Sequence, residues 1–498
     1  MVNNREEQVF VCPELPTIPL KGKQLILVTG ASGYIGGRLV PELICRGYKV
    51  RVMVRTNSPE YKQRWPEAEI AVADAADLEK LDEALKGVDI AYYLIHSLQL
   101  GHKEFESNDL HVAINFRVAC ENQNVKRIIY LGGLGQKNLK LSPHLESRIN
   151  VAKKLSNGKV PVTVLRAGMI IGSGSASYEI LKSLVINTPI FFIPKWAKTK
   201  SQPISVRAVI MYLVGVLEVE ETKGRSYDVG GPDILTYVDK LVTLARLLGK
   251  KRYFLPSFIP YTPLYGYFAS LLTPVPSPIT KVLVEGCKNE AVCENNEIKK
   301  VIDIELYGFK TSIVKALSAE EQDMVSTRWS DAYPPAHDLA IKLHEINHST
   351  KYISSYLILT QKSPELIFKS FCQIGGEKGW FQNNWMWRLR GALDRIIMGI
   401  GIVRGRRSSS TLRVNDVIDF WRVEHIIENK TVLLRAEMNL PGKAWLEFSI
   451  DEGVGTNRLS VHAYFEPKNI LGHLYWYNFR PFHRIIFKSL LKQIERRS

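Results

Sequence analysis

The sequence predicts a two-part chain: an α/β unit built on a doubly wound parallel sheet, followed by a separate α+β unit. Three observations predict it. Short apolar runs alternate with helical patterns as far as residue 166. A glycine-rich turn, Val28-Thr-Gly-Ala-Ser-Gly-Tyr-Ile-Gly36, joins the first apolar run to the first helix. A new strand and helix pattern starts near Ser355, and 498 residues are too many for one ordinary core.

Residues 1–23 form a polar, proline-containing leader. It has neither the basic start nor the apolar core of a signal peptide, so the expectation is a cytoplasmic protein. Gln24 to Thr29 is a buried-type strand, Tyr34 to Arg46 a returning helix, and Val50 to Val54, Ile70 to Ala73 and Ile90 to Ile95 three more strands. Asp77 to Lys86 is helical by pattern and stops at Gly87; residues 105–124 make a longer amphipathic helix. Arg127 to Leu131 and Val162 to Arg166 complete six strands.

From 168 to 320 prolines interrupt the periodicity, which suggests a substrate-binding lobe built on the sheet and a first unit spanning 24–325. Residues 326–350, with Pro334-Pro335 and a short polar helix from 336 to 345, read as a connector. In 351–498 a strand from Ser355, a helix from Pro364 to Gln373, β-rich segments at 411–415, 417–427, 431–440, 443–450 and 457–466, and a final helix from Tyr477 to Arg497 suggest a helix-grip-like domain. In that arrangement a curved sheet wraps the last helix and can leave an apolar cavity.

Gly30, Gly33 and Gly36 have the spacing of a dinucleotide-binding turn. The first glycine permits a sharp turn, the second lets backbone N–H groups approach a pyrophosphate, and the third lets helix and strand pack closely. Ser32, Tyr34 and Ile35 complete the turn and count as cofactor contacts. Nineteen residues past Gly36, where an NAD site would carry an acid for the ribose hydroxyls, stands Arg55. A cation there can pair with a 2′-phosphate, so NADP(H) is expected over NAD(H); a solvated strand-end arginine is the plain alternative. Asp74, after the third strand, is placed to accept from the adenine amino group. Leu94 to Ser97, including His96, and Leu131 to Leu134 flank the nicotinamide side.

These motifs, with Tyr92-Tyr-Leu-Ile-His-Ser97, Tyr130-Leu-Gly-Gly-Leu-Gly135 and Leu165-Arg-Ala-Gly-Met-Ile-Ile-Gly172, resemble an atypical extended short-chain dehydrogenase/reductase. The similarity is to the NmrA-like proteins and to the NAD(P)H-binding accessory subunit of respiratory complex I, and it covers residues 24 to about 320. The last part, with Trp387-Arg-Leu-Arg-Gly391, Asp419-Phe-Trp-Arg422 and Pro441-Gly442, resembles an uncharacterised domain fused to such proteins in prokaryotes. The family's tyrosine, which protonates a carbonyl, and the lysine four residues on, which lowers its pKa, are replaced by His144 and Arg148. The i, i+4 spacing survives, so both can face one way from a helix. His144 is then the candidate proton donor near neutral pH and Arg148 the group that holds the cofactor ribose. Arginine cannot tune a neighbour as lysine does, and the usual upstream serine is absent from Leu131-Gly-Gly-Leu134. Two functions follow: an oxidoreductase acting on a hydrophobic molecule such as a quinone or isoprenoid, or a non-catalytic NADP(H)-dependent sensor or assembly protein.

The net charge is +16, and residues 375–498 hold 20 Lys and Arg against 12 Asp and Glu. Six of nine tryptophans (380, 385, 387, 421, 445 and 476) lie among these arginines. Nucleic acid would need a recognised motif, and none is present; a peripheral contact with an anionic membrane is a second reading. In the structural reading the tryptophans are core and Arg404, Arg406 and Arg407 pair with acids such as Asp416 and Asp419. Glu424, Glu437 and Glu447 read as solvated or salt-bridged rather than as an acid/base set. Six cysteines without a Cys-x-x-Cys pair, and histidines 462, 473 and 483 far apart in sequence, indicate no metal site.

Overall fold

The computed structural model describes residues 10–22, 24–56, 59–96, 105–135, 141–322, 324–332, 352–376 and 406–498, with isolated positions between 379 and 394. The chain divides into two compact units, 1–272 with 278–333, and 273–277 with 334–498. The expected helix at 336–345, together with Ser97, Trp387 and Arg404, lies outside the described residues.

The first unit begins β1 (Leu25–Val28), α1 (Gly36–Cys45), β2 (Lys49–Val54), α2 (Pro59–Arg64), β3 (Glu69–Val72), α3 (Leu78–Leu85), β4 (Ile90–Tyr93), α4 (Phe105–Asn122), β5 (Arg127–Gly133), α5 (Pro143–Ser156) and β6 (Val162–Ala167). It continues β7 (Ile170–Ile171), α6 (Ala176–Asn187), β8 (Ile190–Ile193), β9 (Lys200–Ser201), β10 (Ile204–Ser205), α7 (Val206–Glu218), β11 (Ser226–Val229), β12 (Leu235–Thr236) and α8 (Tyr237–Leu247). It ends β13 (Tyr253–Pro256), α9 (Thr262–Leu272), α10 (Ser277–Gly286), α11 (Glu297–Val301) and α12 (Phe309–Glu321).

Seven strands form one parallel sheet in the order β11-β6-β5-β4-β1-β2-β3. Its inner strands are continuous apolar runs because both faces are covered: α1 and α7 pack on one side, α3, α4 and α5 on the other. The order reverses between β1 and β4, and ligands of doubly wound sheets bind beyond the strand ends at such a reversal.

Two features of this unit go beyond the sequence reading. The stretch expected to be wholly lobe supplies the seventh strand, β11, and the core helix α7. That helix is apolar almost all round and buried over Ala208–Glu218, so its sequence shows no amphipathic period. The end of the leader is also core: Cys12 and Leu15 are buried, and Glu42 accepts from the backbone N–H groups of Val11 (2.7 Å) and Cys12 (3.1 Å). Arg46, which ends α1, forks onto the buried Glu218 carboxylate at 2.6 and 3.0 Å and also donates to the carbonyls of Cys12 and Thr17.

The second unit contains β14 (Tyr352–Thr360), α13 (Pro364–Phe371), β15 (Val417–Ile418), β16 (Trp421–Ile427), β17 (Thr431–Ala436), β18 (Gly442–Asp451), β19 (Asn457–Pro467) and α14 (Ile470–Arg497). One antiparallel sheet runs β14-β19-β18-β17-β16-β15, with α14 packed over β14 and β19 and against α13. This is the sheet-and-final-helix arrangement the sequence suggests. The helix starts seven residues earlier than its periodicity indicated, because the Asn469 side chain caps it at the Gly472 N–H (3.2 Å). Residues 411–415 are irregular instead of a strand; Asp416 holds them in a turn by accepting from the Arg413 N–H at 2.8 Å and binding Arg407 at 2.9 Å.

Among the tryptophans, 380, 421, 445 and 476 are buried and Trp385 is exposed. Asp419 accepts from the Trp380 indole (2.8 Å) instead of from an arginine, and Arg406 donates to backbone carbonyls, Ile374 O among them at 2.6 Å. Glu437 pairs with the fully buried Arg422 (2.6 Å) and with Arg435 (3.3 Å), while Arg435 also meets Glu424 (2.9 Å). Burial pushes the Glu424 carboxyl up to about 7 despite that arginine. Glu447 accepts from the Tyr464 hydroxyl at 2.6 Å.

Removing one partner of a buried pair leaves the other charge unsolvated, a loss of about 3–5 kcal/mol. Arg46→Ala should therefore cost the first unit stability of that order, read as a lower urea midpoint for its unfolding, and an unchanged midpoint would show that Glu218 is solvated there.

Candidate dinucleotide site at the strand-order reversal

The turn after β1 is held by backbone proximity. Gly30 has φ +63°, and a Cβ there would lie 2.6 Å from the Leu94 carbonyl oxygen. A Cβ on Gly36 would lie 2.3 Å from the Gly30 oxygen. The Gly33 N–H donates back to Gly30 O at 3.0 Å, and the Gly37 N–H to Gly33 O at 2.9 Å. Thr29 ties this turn to β4: its hydroxyl donates to Tyr92 O (2.9 Å) and accepts from the Leu94 N–H (3.1 Å). The positive end of α1 thus opens at the end of the sheet, as a pyrophosphate requires.

Not every side chain of the turn faces that opening. Ser32 is half-buried, and Ile35 packs on the core. Tyr34 is half-buried with its hydroxyl turned inward, 2.7 Å from where a Cβ on Gly172 would stand, and burial raises the phenol's pKa. Arg38 is committed as well, donating to Ser173 O (2.9 Å) and lying over the Tyr34 ring. Thr327, in the segment read as connector, donates to Tyr34 O at 3.0 Å, so this chain segment braces the turn from behind.

Arg55 follows β2 with an exposed side chain, and among the described residues it makes no ion pair. Asp74 follows β3, exposed, with Oδ1 accepting from the Ala76 N–H at 2.9 Å. Both stand at strand ends on the β2–β3 side of the reversal. On the other side, His96 after β4 and His144 in the first turn of α5 stack with ring centroids 5.3 Å apart. The sequence assigned them separate roles and gave no hint that they touch. Burial drives His144 down to about 3, helped by the Arg148 charge, and drives His96 well below its usual value with help from Arg148 and His144. Both rings are therefore neutral at pH 7, so an imidazolium donor near neutrality is not what this pocket holds; a neutral N–H is. Among the described residues, His96 Nδ1 is buried without a partner.

Arg148 lies one turn beyond His144. The bare Gly133 lets its helix close in, since a Cβ there would sit 3.1 Å from the Leu145 methyl and 3.8 Å from Arg148 Cγ. Tyr130 donates to the Arg148 carbonyl at 3.2 Å, fixing the helix on the sheet.

A further group was missed. Lys240 is fully buried, its ammonium bonded to the Ser201 hydroxyl and 3.6 Å above the Tyr237 ring centroid, and burial lowers it to about 8. Among the described residues it makes no ion pair. The signal available was Tyr237-x-x-Lys240, which shares a helix face; Ser201 is brought in only by the β9–β12 pairing.

Comparison with known proteins agrees with this geometry. Residues 30–184 match a family model described as NAD(P)H-binding. The first unit is an NAD(P)H-binding domain. Residues 346–490 match a model described as a protein of unknown function (DUF2867). Subunit 9 of the NADH dehydrogenase (ubiquinone) 1 alpha subcomplex of Dictyostelium discoideum is 23% identical over 66% of this chain and 86% of its own. A photosystem II assembly factor of Trieres chinensis is 21% identical over 49% of this chain and 76% of its own. The divinyl chlorophyllide a 8-vinyl-reductase of Cucumis sativus is 24% identical over 45% of this chain and 57% of its own. No described helix is long and apolar enough to cross a membrane.

The two histidines give a pH test. An imidazole that titrates near 6.5 when unfolded and about 3 when folded leaves the unfolded state binding more protons between those values. Stability is then full above 6.5 and falls as the pH drops towards 3, by about 2 kcal/mol for His144 alone at pH 5. His144→Phe should reduce the difference in unfolding midpoint between pH 7 and pH 5; an identical pH dependence would mean that the ring is solvated.

Proposed function

We propose that this chain is an NADP(H)-dependent oxidoreductase acting on a hydrophobic carbonyl or quinone-like molecule. The observation that carries the reading is the stacked, desolvated His96–His144 pair beside Arg148 at the reversal of strand order. The site fits a nicotinamide dinucleotide: a tight glycine turn at a helix start, a free cation at Arg55, and a buried His96 nitrogen lacking a partner. When bound, the reduced cofactor supplies a hydride.

The chain's own groups would do the rest. The α1 N-terminus holds the pyrophosphate, Arg55 meets the 2′-phosphate, and Arg148 orients the ribose through its charge. The His144 imidazole N–H donates a hydrogen bond to the substrate oxygen and steadies the negative charge that develops there, while the proton that completes the reduction comes from solvent. A neutral imidazole does this as a hydrogen-bond donor in a dry site, where such a contact is stronger than in water. An apolar substrate is supported by one relative, which is named as a reductase of a vinyl group on a chlorophyllide.

A second reading has its own support. With both histidines held neutral and no tyrosine and lysine in their place, cofactor occupancy alone could set a binding state, and two relatives are named as an assembly factor and a respiratory-complex subunit. NADPH oxidation over a panel of quinones, enals and aldehydes separates the two. Catalysis predicts turnover that drops at least tenfold in His144→Phe while NADPH still binds; tight binding with no turnover on any member favours the second reading. Independently, Arg55→Asp should weaken NADPH binding by about tenfold relative to NADH, the order of one charge-assisted contact. An unchanged ratio of affinities would remove the phosphate role.

A further inference from the structure

The first unit carries an apolar surface that its own core does not use. Strands β8 and β13 pair in parallel, Ile190 beside Tyr253 and Phe192 beside Leu255. The inward residues Phe191 and Phe254 stack with centroids 5.2 Å apart. A half-exposed strand should be polar on its other face, yet here Ile190, Phe192 (61% exposed), Tyr253 (65%) and Leu255 all face outward. The chain then continues into a loop that presents Phe258, 94% exposed, with Ile259 and Tyr261, and on to Leu264 and Phe268 of α9.

That loop is braced and not merely loose. The Ser257 N–H donates to Ile193 O (2.9 Å), the Ser257 and Tyr265 hydroxyls bond at 2.6 Å, and Tyr265 donates to Ile259 O (3.1 Å). Hydrogen bonds therefore hold the backbone that projects Phe258 into solvent.

The electrostatics are one-sided. Residues 180–217 contain five Lys and Arg and no Asp or Glu, and residues 240–284 contain six and none; Lys240 among them is buried, and Lys182 and Arg207 pair with Glu320 and Glu14. Exposed Lys250 and Lys251 stand at the start of β13, and exposed Lys195 and Lys198 follow the end of β8, so cations bracket both ends of the apolar face. Protruding aromatic and aliphatic side chains ringed by lysine suit the water–lipid boundary, where rings lie at headgroup depth and cations meet lipid phosphates. An exposed patch of this kind needs a partner.

We infer that the face formed by Ile190, Phe192, Tyr253, Leu255 and Phe258 docks the protein on the surface of an anionic lipid bilayer. The contact is peripheral, made by side chains with no spanning helix, and it is independent of the redox reading.

The test is co-sedimentation of the full chain with vesicles of phosphatidylcholine alone or with phosphatidylglycerol. The wild type should bind the anionic vesicles, and more weakly as salt rises. Phe258→Asp and the pair Lys250→Glu with Lys251→Glu should each lower that binding at least tenfold. These side chains are exposed and outside the dinucleotide site, so NADPH binding and the unfolding midpoint should stay unchanged, showing that the variants fold. No wild-type binding, or binding that both variants retain, overturns the inference. Self-association that Phe258→Asp abolishes, without vesicle binding, would also overturn it and mark the face as a contact between copies.

Discussion

Close backbone approach at the glycine turn is the constraint on which the first unit depends. The Gly30 carbonyl lies against the start of α1, and the Leu94 carbonyl lies against Gly30, so neither position has room for a Cβ. One consequence is mechanical: β1, β4 and α1 are locked in register, with Thr29 bonded across to β4. The other is chemical. The turn takes up the Gly33 and Gly37 N–H groups itself, and the positive end of the α1 dipole is what it offers a phosphate.

The same lock positions the far side of the site. Leu94 is both the neighbour of Gly30 and the residue two before His96, so the path of β4 beyond the sheet follows from the turn. On the adjoining strand, Gly133 lets α5 approach, and α5 brings His144 and Arg148. The cost is desolvation, which lowers both imidazoles, and the neighbouring arginine adds to the shift. The site is thus built to hold neutral hydrogen-bonding imidazoles beside a fixed cation. That chemistry differs from the tyrosine and lysine pair whose spacing it keeps.

The second unit solves a different problem. Its antiparallel sheet is covered by α13 and α14 over an apolar cluster, while Arg422, Glu424, Arg435 and Glu437 form a buried polar network. Such networks are costly to desolvate and lose much when half-satisfied. They give these arginines and glutamates structural work.

The sequence by itself determined the parallel sheet up to β6, the glycine turn, the unit that follows and the i, i+4 relation of His144 and Arg148, because these depend on local periodicity and on residues that only glycine can replace. The strand-end placement of Arg55 and Asp74 was legible for the same reason, since each lies a countable distance from the turn. Tertiary structure alone decided the rest. It moved α7 and β11 into the main core, since a helix apolar all round has no period to read; it turned Tyr34 and Arg38 inward; and it brought His96 onto His144 and Ser201 onto Lys240. Contacts between residues tens of positions apart, and the loss of water that shifts a pKa, arise from packing and leave no trace in the order of residues.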